Sequence, residues 1–196
     1  MTASAYAQTT DFFELAKTGT PQQVQVAIKA GADLKAQDKD GATALMLACL
    51  NNQNPEVIST LLKAGADLKA QDKNGLTALM YAAQKNQNPK VITTLLKAGA
   101  KVNDQDEEGW TALMDAAQYN QNPEVISTLL RAGAKVNDQD EDGWTALMDA
   151  AQKNPNPEVI GTLLKAGADA KAKSSEGKTA FDYAKDNNAL MRHAFS

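Results

Sequence analysis

A 34-residue period runs through this chain and limits what it can fold into. Gly65, Gly99, Gly133 and Gly167 recur at one phase, and Gly75, Gly109, Gly143 and Gly177 at another. Self-similarity at such a spacing means a stacked array of one supersecondary unit, each copy burying its apolar face against the next. The unit is plainest from Asp106 to Gln139, and full copies read over 38–71, 72–105, 106–139 and 140–173. A shorter copy over 11–37 and a closing one over 174–196 read as caps, so that 11–196 forms one elongated domain. Residues 1–10, small and polar, read as a disordered N-terminal segment.

Each full copy predicts two short helices. The first starts at the threonine of Gly-x-Thr-Ala-Leu-Met, where Thr43, Thr77, Thr111 or Thr145 can cap an unsatisfied backbone N–H. The second starts at Asn-Pro, at 54–55, 88–89, 122–123 and 156–157, with asparagine as the cap and proline in the first helical position. Val57, Ile58, Leu61 and Leu62 mark its apolar stripe, and Gly65 stops it. An Asp-x-x-Gly turn then leads into the next copy. In the opening cap a helix begins after Asp11 and ends near Gly19, and a second begins at Pro21. Helices this short are marginal alone, so stacking must hold them, with alanines such as Ala82, Ala116 and Ala150 allowing close approach.

Composition removes several function classes. No run approaches the roughly 18 apolar residues of a membrane span. A net charge of −4 and a pI near 5 leave no basic footprint for nucleic acid, and favour a basic partner. The lone Cys49 rules out an internal disulfide and reads as a small buried hydrophobe. The single histidine, His193, has no partner residues for catalysis and reads as part of the closing cap. The start lacks a basic, apolar signal sequence, which favours the cytoplasm. Ala5-Tyr6-Ala7 does have the small-x-small form of a cleavage site, the alternative being a periplasmic or secreted chain with Met1 in place of a removed signal.

Taken together, Asp-x-x-Gly-x-Thr-Ala-Leu-Met-x-Ala-Ala, a second helix with Leu-Leu, and Gly-Ala-Asp resemble the ankyrin repeat across roughly 10–190. The resemblance implies a mainly α solenoid of stacked helix-turn-helix pairs with short β-hairpin fingers. It also implies a concave groove lined by fingers and first helices, and protein binding without catalysis or cofactor.

Two departures stand out. The family's Pro and His are replaced by Ala and Met, as at Ala44 and Met46 and again through Ala146 and Met148. The histidine's hydrogen bonds are expected to be lost, and Met46, Met80, Met114 and Met148 to pack as core. The family period is 33 residues, and the extra one falls in the loop between helices, at Asn51-Asn52-Gln53-Asn54 and its equivalents. Asparagine tolerates left-handed backbone, so Asn52, Asn86 and Asn120 are expected to end the first helix that way, with Asn154 restrained by Pro155. The row of asparagines reads as turn chemistry.

Function in such an array resides where the copies differ. After the turn glycine come Ala42, Leu76, Trp110, Trp144 and Lys178. Further along come Leu47, Tyr81, Asp115, Asp149 and Tyr183, then Gln84, Gln118, Tyr119 and Gln152. With the finger acids Glu107, Glu108, Glu141 and Asp142, the expected contact set is Leu76, Tyr81, Glu107, Glu108, Trp110, Asp115, Tyr119, Glu141, Asp142, Trp144 and Asp149. Indoles in an acidic groove suit a cationic peptide through cation–π contact. The expected function is a monomeric interaction module for a polypeptide, a basic one being suited to the groove, with no nucleic acid, membrane, cofactor or metal.

Three alternatives start from the same residues. The array can be purely a structural scaffold. Asp138, Asp140, Asp142 and Asp149 imitate an EF-hand spacing, as do Asp104, Asp106, Glu108 and Asp115. However, the bidentate Glu is replaced by Asp and no helix enters the loop. Asp115 and Asp149 on adjacent helices also imitate a two-carboxylate hydrolase, although duplication pairs positions automatically.

The dense alanine phase generates a direct test. Ala116→Leu is expected to lower unfolding free energy by about 1–3 kcal/mol through overpacking, and an unchanged denaturant midpoint would contradict close helix stacking there.

Overall fold

The threonine caps form as the sequence dictates. In the computed structural model, which describes residues 9–185 and Asn187, the hydroxyls of Thr43, Thr77, Thr111 and Thr145 accept from the backbone N–H of Met46, Met80, Met114 and Met148. These caps start α3 (Ala44–Asn51), α5 (Ala78–Lys85), α7 (Ala112–Tyr119) and α9 (Ala146–Lys153). The second helices are α4 (Pro55–Lys63), α6 (Pro89–Lys97), α8 (Pro123–Arg131) and α10 (Pro157–Lys165). Each opens on a capping asparagine with proline in the first turn. The caps of the array supply α1 (Thr9–Thr18), α2 (Pro21–Lys29) and α11 (Ala180–Ala184). Helix α1 thus starts before the expected Asp11 position. Residues 1–8 of the expected N-terminal segment, and His193, lie outside the described residues.

The odd-numbered helices pack on one another in chain order, and so do α2, α4, α6, α8 and α10, giving two parallel layers. The odd layer is the more deeply covered, having the even layer on one side and fingers near its start. In α7 every residue from Ala112 to Gln118 is buried, including the polar Asp115 and Gln118. The four methionines are buried as core. The sulfurs of Met46 and Met80 also accept from the N–H of Thr43 and Thr77, at 3.4 and 3.3 Å. In the first two copies, therefore, the methionine keeps a weak polar contact as well as apolar packing.

Between copies the fingers are tight turns. Asp72 Oδ1 accepts from the N–H of Asn74 and of Leu76, and a single antiparallel bridge pairs Gln71 with Thr77. One backbone hydrogen bond ties each finger to the next, as from Glu107 N–H to the Asn74 carbonyl. Gly75 is required twice over. Its φ of +83° is a left-handed value, and an added Cβ would lie 2.9 Å from the Glu107 nitrogen. The fingers can lie this close together only because that position carries no side chain.

The asparagines that follow the first helices overturn the expectation of left-handed ends. Among the described residues only glycines have positive φ, and Asn52, Asn86, Asn120 and Asn154 are extended. The reason is the contact each makes with the preceding copy. Asn120 Nδ2 donates to the carbonyls of Ala83 and Asn86, and Asn154 Nδ2 to those of Ala117 and Asn120. Asn86 donates to Cys49 and Asn52, and Asn52 to Ala16 and Gly19. Asn187 in the closing cap donates to Ala151 and Asn154. In the full copies the Oδ1 accepts from the backbone N–H two residues on. The row is therefore a buried ladder between copies as well as turn chemistry. It satisfies the carbonyls left over at each helix end.

A second row runs beside it, with Asn88, Asn122 and Asn156 donating to the carbonyls of Gln53, Gln87 and Gln121. Being exposed, these bonds are individually worth less than the buried ones.

The ladder predicts a clear order among variants. Asn120→Ala leaves the carbonyls of Ala83 and Asn86 unpaired and is expected to cost about 2–4 kcal/mol in a denaturant melt. Asn120→Asp places a carboxylate against those carbonyls and is expected to cost more at neutral pH. A loss below about 0.5 kcal/mol for both, the level of an ordinary surface change, would contradict a bearing role for the ladder.

Candidate functional site

Position 115 belongs to a series 34 residues apart, and what stands at each member shapes the concave face. At Tyr81 the phenol hydroxyl donates to Asp72 Oδ2 at 2.8 Å. At Tyr183 it pairs with Ser174 Oγ at 2.8 Å. In both cases a ring fills the space between the first helix and its own finger. The two copies between them carry Asp115 and Asp149, which are too short to span it. A recess opens at each.

The first recess, about 300 Å³, is lined by Asn74, Leu76, Gln84, Asp106, Glu107, Glu108, Trp110, Asp115 and Tyr119. The second, about 310 Å³, is lined by Glu108, Trp110, Gln118, Asp140, Asp142, Trp144, Asp149, Gln152, Lys153 and Glu176. Glu108 and Trp110 stand between the two recesses and line both, which makes them neighbours along one groove. Trp110 and Trp144 are half-buried, and the second indole stacks on Tyr183 with ring centroids 4.1 Å apart. Of the expected contact residues, Leu76, Glu107, Glu108, Trp110, Asp115 and Tyr119 come together at the first recess. Asp142, Trp144 and Asp149 come together at the second. Tyr81 and Glu141 line neither.

Asp115 and Asp149 are 3% and 0% exposed, because their helix is covered nearly all round. Gln84 Nε2 donates to Asp115 Oδ1 at 3.0 Å, and Gln118 Nε2 to Asp149 Oδ1 at 3.1 Å. In each pair the amide comes from the preceding copy. The other oxygen of each carboxyl, Oδ2, is buried without a hydrogen-bond partner. Gln84 and Gln118 are noticeable in the sequence as a repeated phase, but their service to the aspartate of the next copy is visible only in the stack. Asn74 and Glu176, on neighbouring fingers, give no sequence signal for their place in the groove.

Burial governs the ionisation of these groups. It pushes the Asp115 carboxyl up to about 8, against the Gln84 hydrogen bond and with help from the charge of Asp106. Burial also raises Asp149 well above the usual range, opposed by Gln118 and Lys153 and reinforced by Asp140 and Asp115. Tyr119, 50% exposed, is raised by partial burial and by the charges of Asp115, Asp149 and Glu108. The buried thiol of Cys49 is raised by desolvation, so it holds its proton and is a poor nucleophile.

The first recess is walled by carboxyls, neutral amides, a leucine, an indole and a phenol. Its lining contains no Lys or Arg. In the second recess the cationic lining residue is Lys153, whose Nζ lies 3.4 Å from Gln118 Oε1. Among the described residues no group of three His, Cys, Asp or Glu side chains is arranged to hold a metal ion. The would-be calcium loop has its own use for Asp140, whose Oδ1 accepts from the N–H of Asp142 and Trp144. No helix of the described residues is long and apolar enough to cross a membrane.

A raised native pKa has a signed consequence for stability. Between the ordinary carboxyl value near 4 and about 8, the folded chain keeps a proton at Asp115 that the unfolded chain has released. Stability therefore falls as pH rises through that window and levels off above it. Asp115→Asn removes the ionisation and preserves the acceptor for Gln84. The variant is expected to exceed the wild type at about pH 8 by a few kcal/mol, each pKa unit counting about 1.4, and to equal it near pH 4. Parallel pH–stability curves for the two proteins would contradict this.

A family model described as ankyrin repeats in three copies matches the chain over residues 12–106, 52–140, 90–174 and 113–191. No curated protein matches it. The matched segments together run from residue 12 to residue 191, over the same helix pairs and fingers that build the groove, and the chain belongs to the ankyrin repeat family.

Proposed function

We propose that this protein is an interaction module that holds a basic polypeptide segment in the groove of its second, third and fourth full copies. Ankyrin repeats are in general protein-binding modules, which sets the class. The observation that selects the partner's chemistry is the pair of adjoining recesses, where Trp110 stands among Glu107, Glu108, Asp106 and the Asp115 carboxyl. A half-buried indole flanked by carboxylates recognises a cation by cation–π attraction and ion pairing together. The finger acids Glu107, Glu108, Glu141 and Asp142 are exposed and draw the partner in, an effect that weakens with salt. Leu76 is half-buried in the lining of the first recess and, with the half-buried Tyr81 of the same copy, offers apolar contact to the same segment.

We read the module as non-catalytic and monomeric. Asp115 and Asp149 are the carboxyls that a hydrolase reading would need. Each has one oxygen committed to a glutamine and faces no histidine or activated nucleophile among the described residues. Duplication accounts for their pairing.

Trp110 is the residue to change, since Trp144 also anchors the closing cap through Tyr183. Trp110→Ala is expected to weaken capture of arginine-rich peptides by about 5–30-fold, the value of a cation–π contact of roughly 1–2 kcal/mol. Titration calorimetry at low salt reads the change, and undiminished affinity in a variant of unchanged thermal midpoint would contradict the reading.

A further inference from the structure

Resting on the basic-partner reading, the geometry points to a more specific device. We propose that the recesses at Asp115 and Asp149 are paired receptors for two cationic side chains three residues apart in an extended partner segment, each entering cation displacing a proton from the carboxyl it meets.

Four observations carry this. First, each recess is lined by an aspartate at the phase where Tyr81 and Tyr183 instead reach across to their own fingers. Second, the lining of each recess includes an aspartate, Asp115 or Asp149, whose Oδ2 is buried without a partner although its companion oxygen is paired. An unpaired buried acceptor is costly in a folded protein and is relieved by a donor from outside. Third, the walls match a cation, with Trp110 shared by both recesses and Glu107, Glu108 and Asp142 at the rims. Fourth, Asp115 and Asp149 lie on helices of adjacent copies, and packed helices are about 8–10 Å apart. A polyproline-type segment repeats its side-chain direction every three residues and rises about 9 Å over that span. Two cations in an i, i+3 relation therefore reach both recesses at once.

The proton balance follows from the surroundings. Facing Asp115 are the acidic groups Asp106, Glu107 and Glu108 of its finger, Tyr119 of α7, Asp149 of α9 and the neutral Gln84 of α5. Facing Asp149 are Asp140, Asp142, Glu108 and Glu176 of the fingers, Asp115 and Gln118 of α7, Tyr119, and Lys153 of its own helix. From α11 Tyr183 closes that end against Trp144. Helices α8 and α10 contribute the buried apolar residues Val125, Ile126, Leu129, Val159 and Leu163. Without a ligand, burial keeps Asp115 protonated near neutral pH, and burial likewise favours the protonated form of Asp149. When a guanidinium or ammonium enters, the O–H bond at the carboxyl breaks, its proton passes to solvent, and the carboxylate pairs with the cation. Binding is then tighter at higher pH, since less work is needed to remove the proton.

The probe is an acetylated and amidated peptide, Gly-Arg-Pro-Pro-Arg-Gly, titrated into the full chain by calorimetry in phosphate and in Tris. The difference in heat between buffers counts the protons released. The expected result is net proton release below about pH 8, where Asp115 keeps its proton in the free chain, with affinity rising up to about tenfold per pH unit for each carboxyl titrated and levelling above its raised pKa. A peptide with the second arginine replaced by serine should release fewer protons and bind at least about tenfold more weakly. The double variant Asp115→Asn, Asp149→Asn should bind the probe weakly and without pH dependence. Proton release is measured on the wild type alone, so the outcome stands whether or not the variant folds. Binding of the probe with no proton release overturns the device while leaving the basic-partner reading intact. Absence of binding at every pH overturns both.

Discussion

The structure depends on a side-chain amide repeated at one phase of each full copy and of the closing cap. A short helix ends with carbonyls that its own hydrogen bonding cannot satisfy, and in a stack those ends are shut away from water. Asn52, Asn86, Asn120, Asn154 and Asn187 each send both Nδ2 protons into the preceding copy, to the carbonyl near the end of its first helix and to that of the residue at its own phase. Between full copies the bonds to the residue at the same phase span 34 residues, and at the two caps they span 33. Polar satisfaction between copies and helix termination are thus the same event, and neither layer can slide without breaking it.

With the odd helices held in that way, their burial becomes almost complete, and the chemistry of the groove follows from it. An aspartate on a two-sided helix ordinarily looks to solvent. On α7 and α9 there is no solvent side to look to, so Asp115 and Asp149 are enclosed together with the glutamines that partner them. Replacing a tyrosine by aspartate at this phase leaves room for a recess and puts a carboxyl with a buried, unpaired oxygen into its lining. The first effect supplies shape and the second supplies demand for a donor. The stability cost of the enclosed carboxyl is the kind of local penalty that binding sites carry.

Much of the architecture could be read from the sequence because its signals are local. Threonine and Asn-Pro mark helix starts through caps that reach only two or three residues, and Asp-x-x-Gly marks the finger by the same short-range logic. The methionines at 46, 80, 114 and 148 read correctly as core. What escaped was contact across copies. Asn120 looks like a turn residue when considered with its sequence neighbours, and only the stack shows that the carbonyls it serves lie 37 and 34 residues earlier. The recurrence of asparagine at position 187, where the rest of the closing copy diverges, was the one clue. For the groove, differences among copies singled out residues of which Leu76, Glu107, Glu108, Trp110, Asp115, Tyr119, Asp142, Trp144 and Asp149 line the two recesses, while Tyr81 and Glu141 line neither. The burial of Asp115 was not legible, because helical periodicity assigns one wet face to a helix that has none.

The most direct measurement of the central claim is the carboxyl carbon-13 titration of Asp115 and Asp149 by NMR in the free protein. Asp115 is predicted to titrate at about 8, and Asp149 well above the ordinary carboxyl range. Titration of both near the ordinary carboxyl value of about 4 would contradict the enclosed, unpaired carboxyls on which this account of the groove rests.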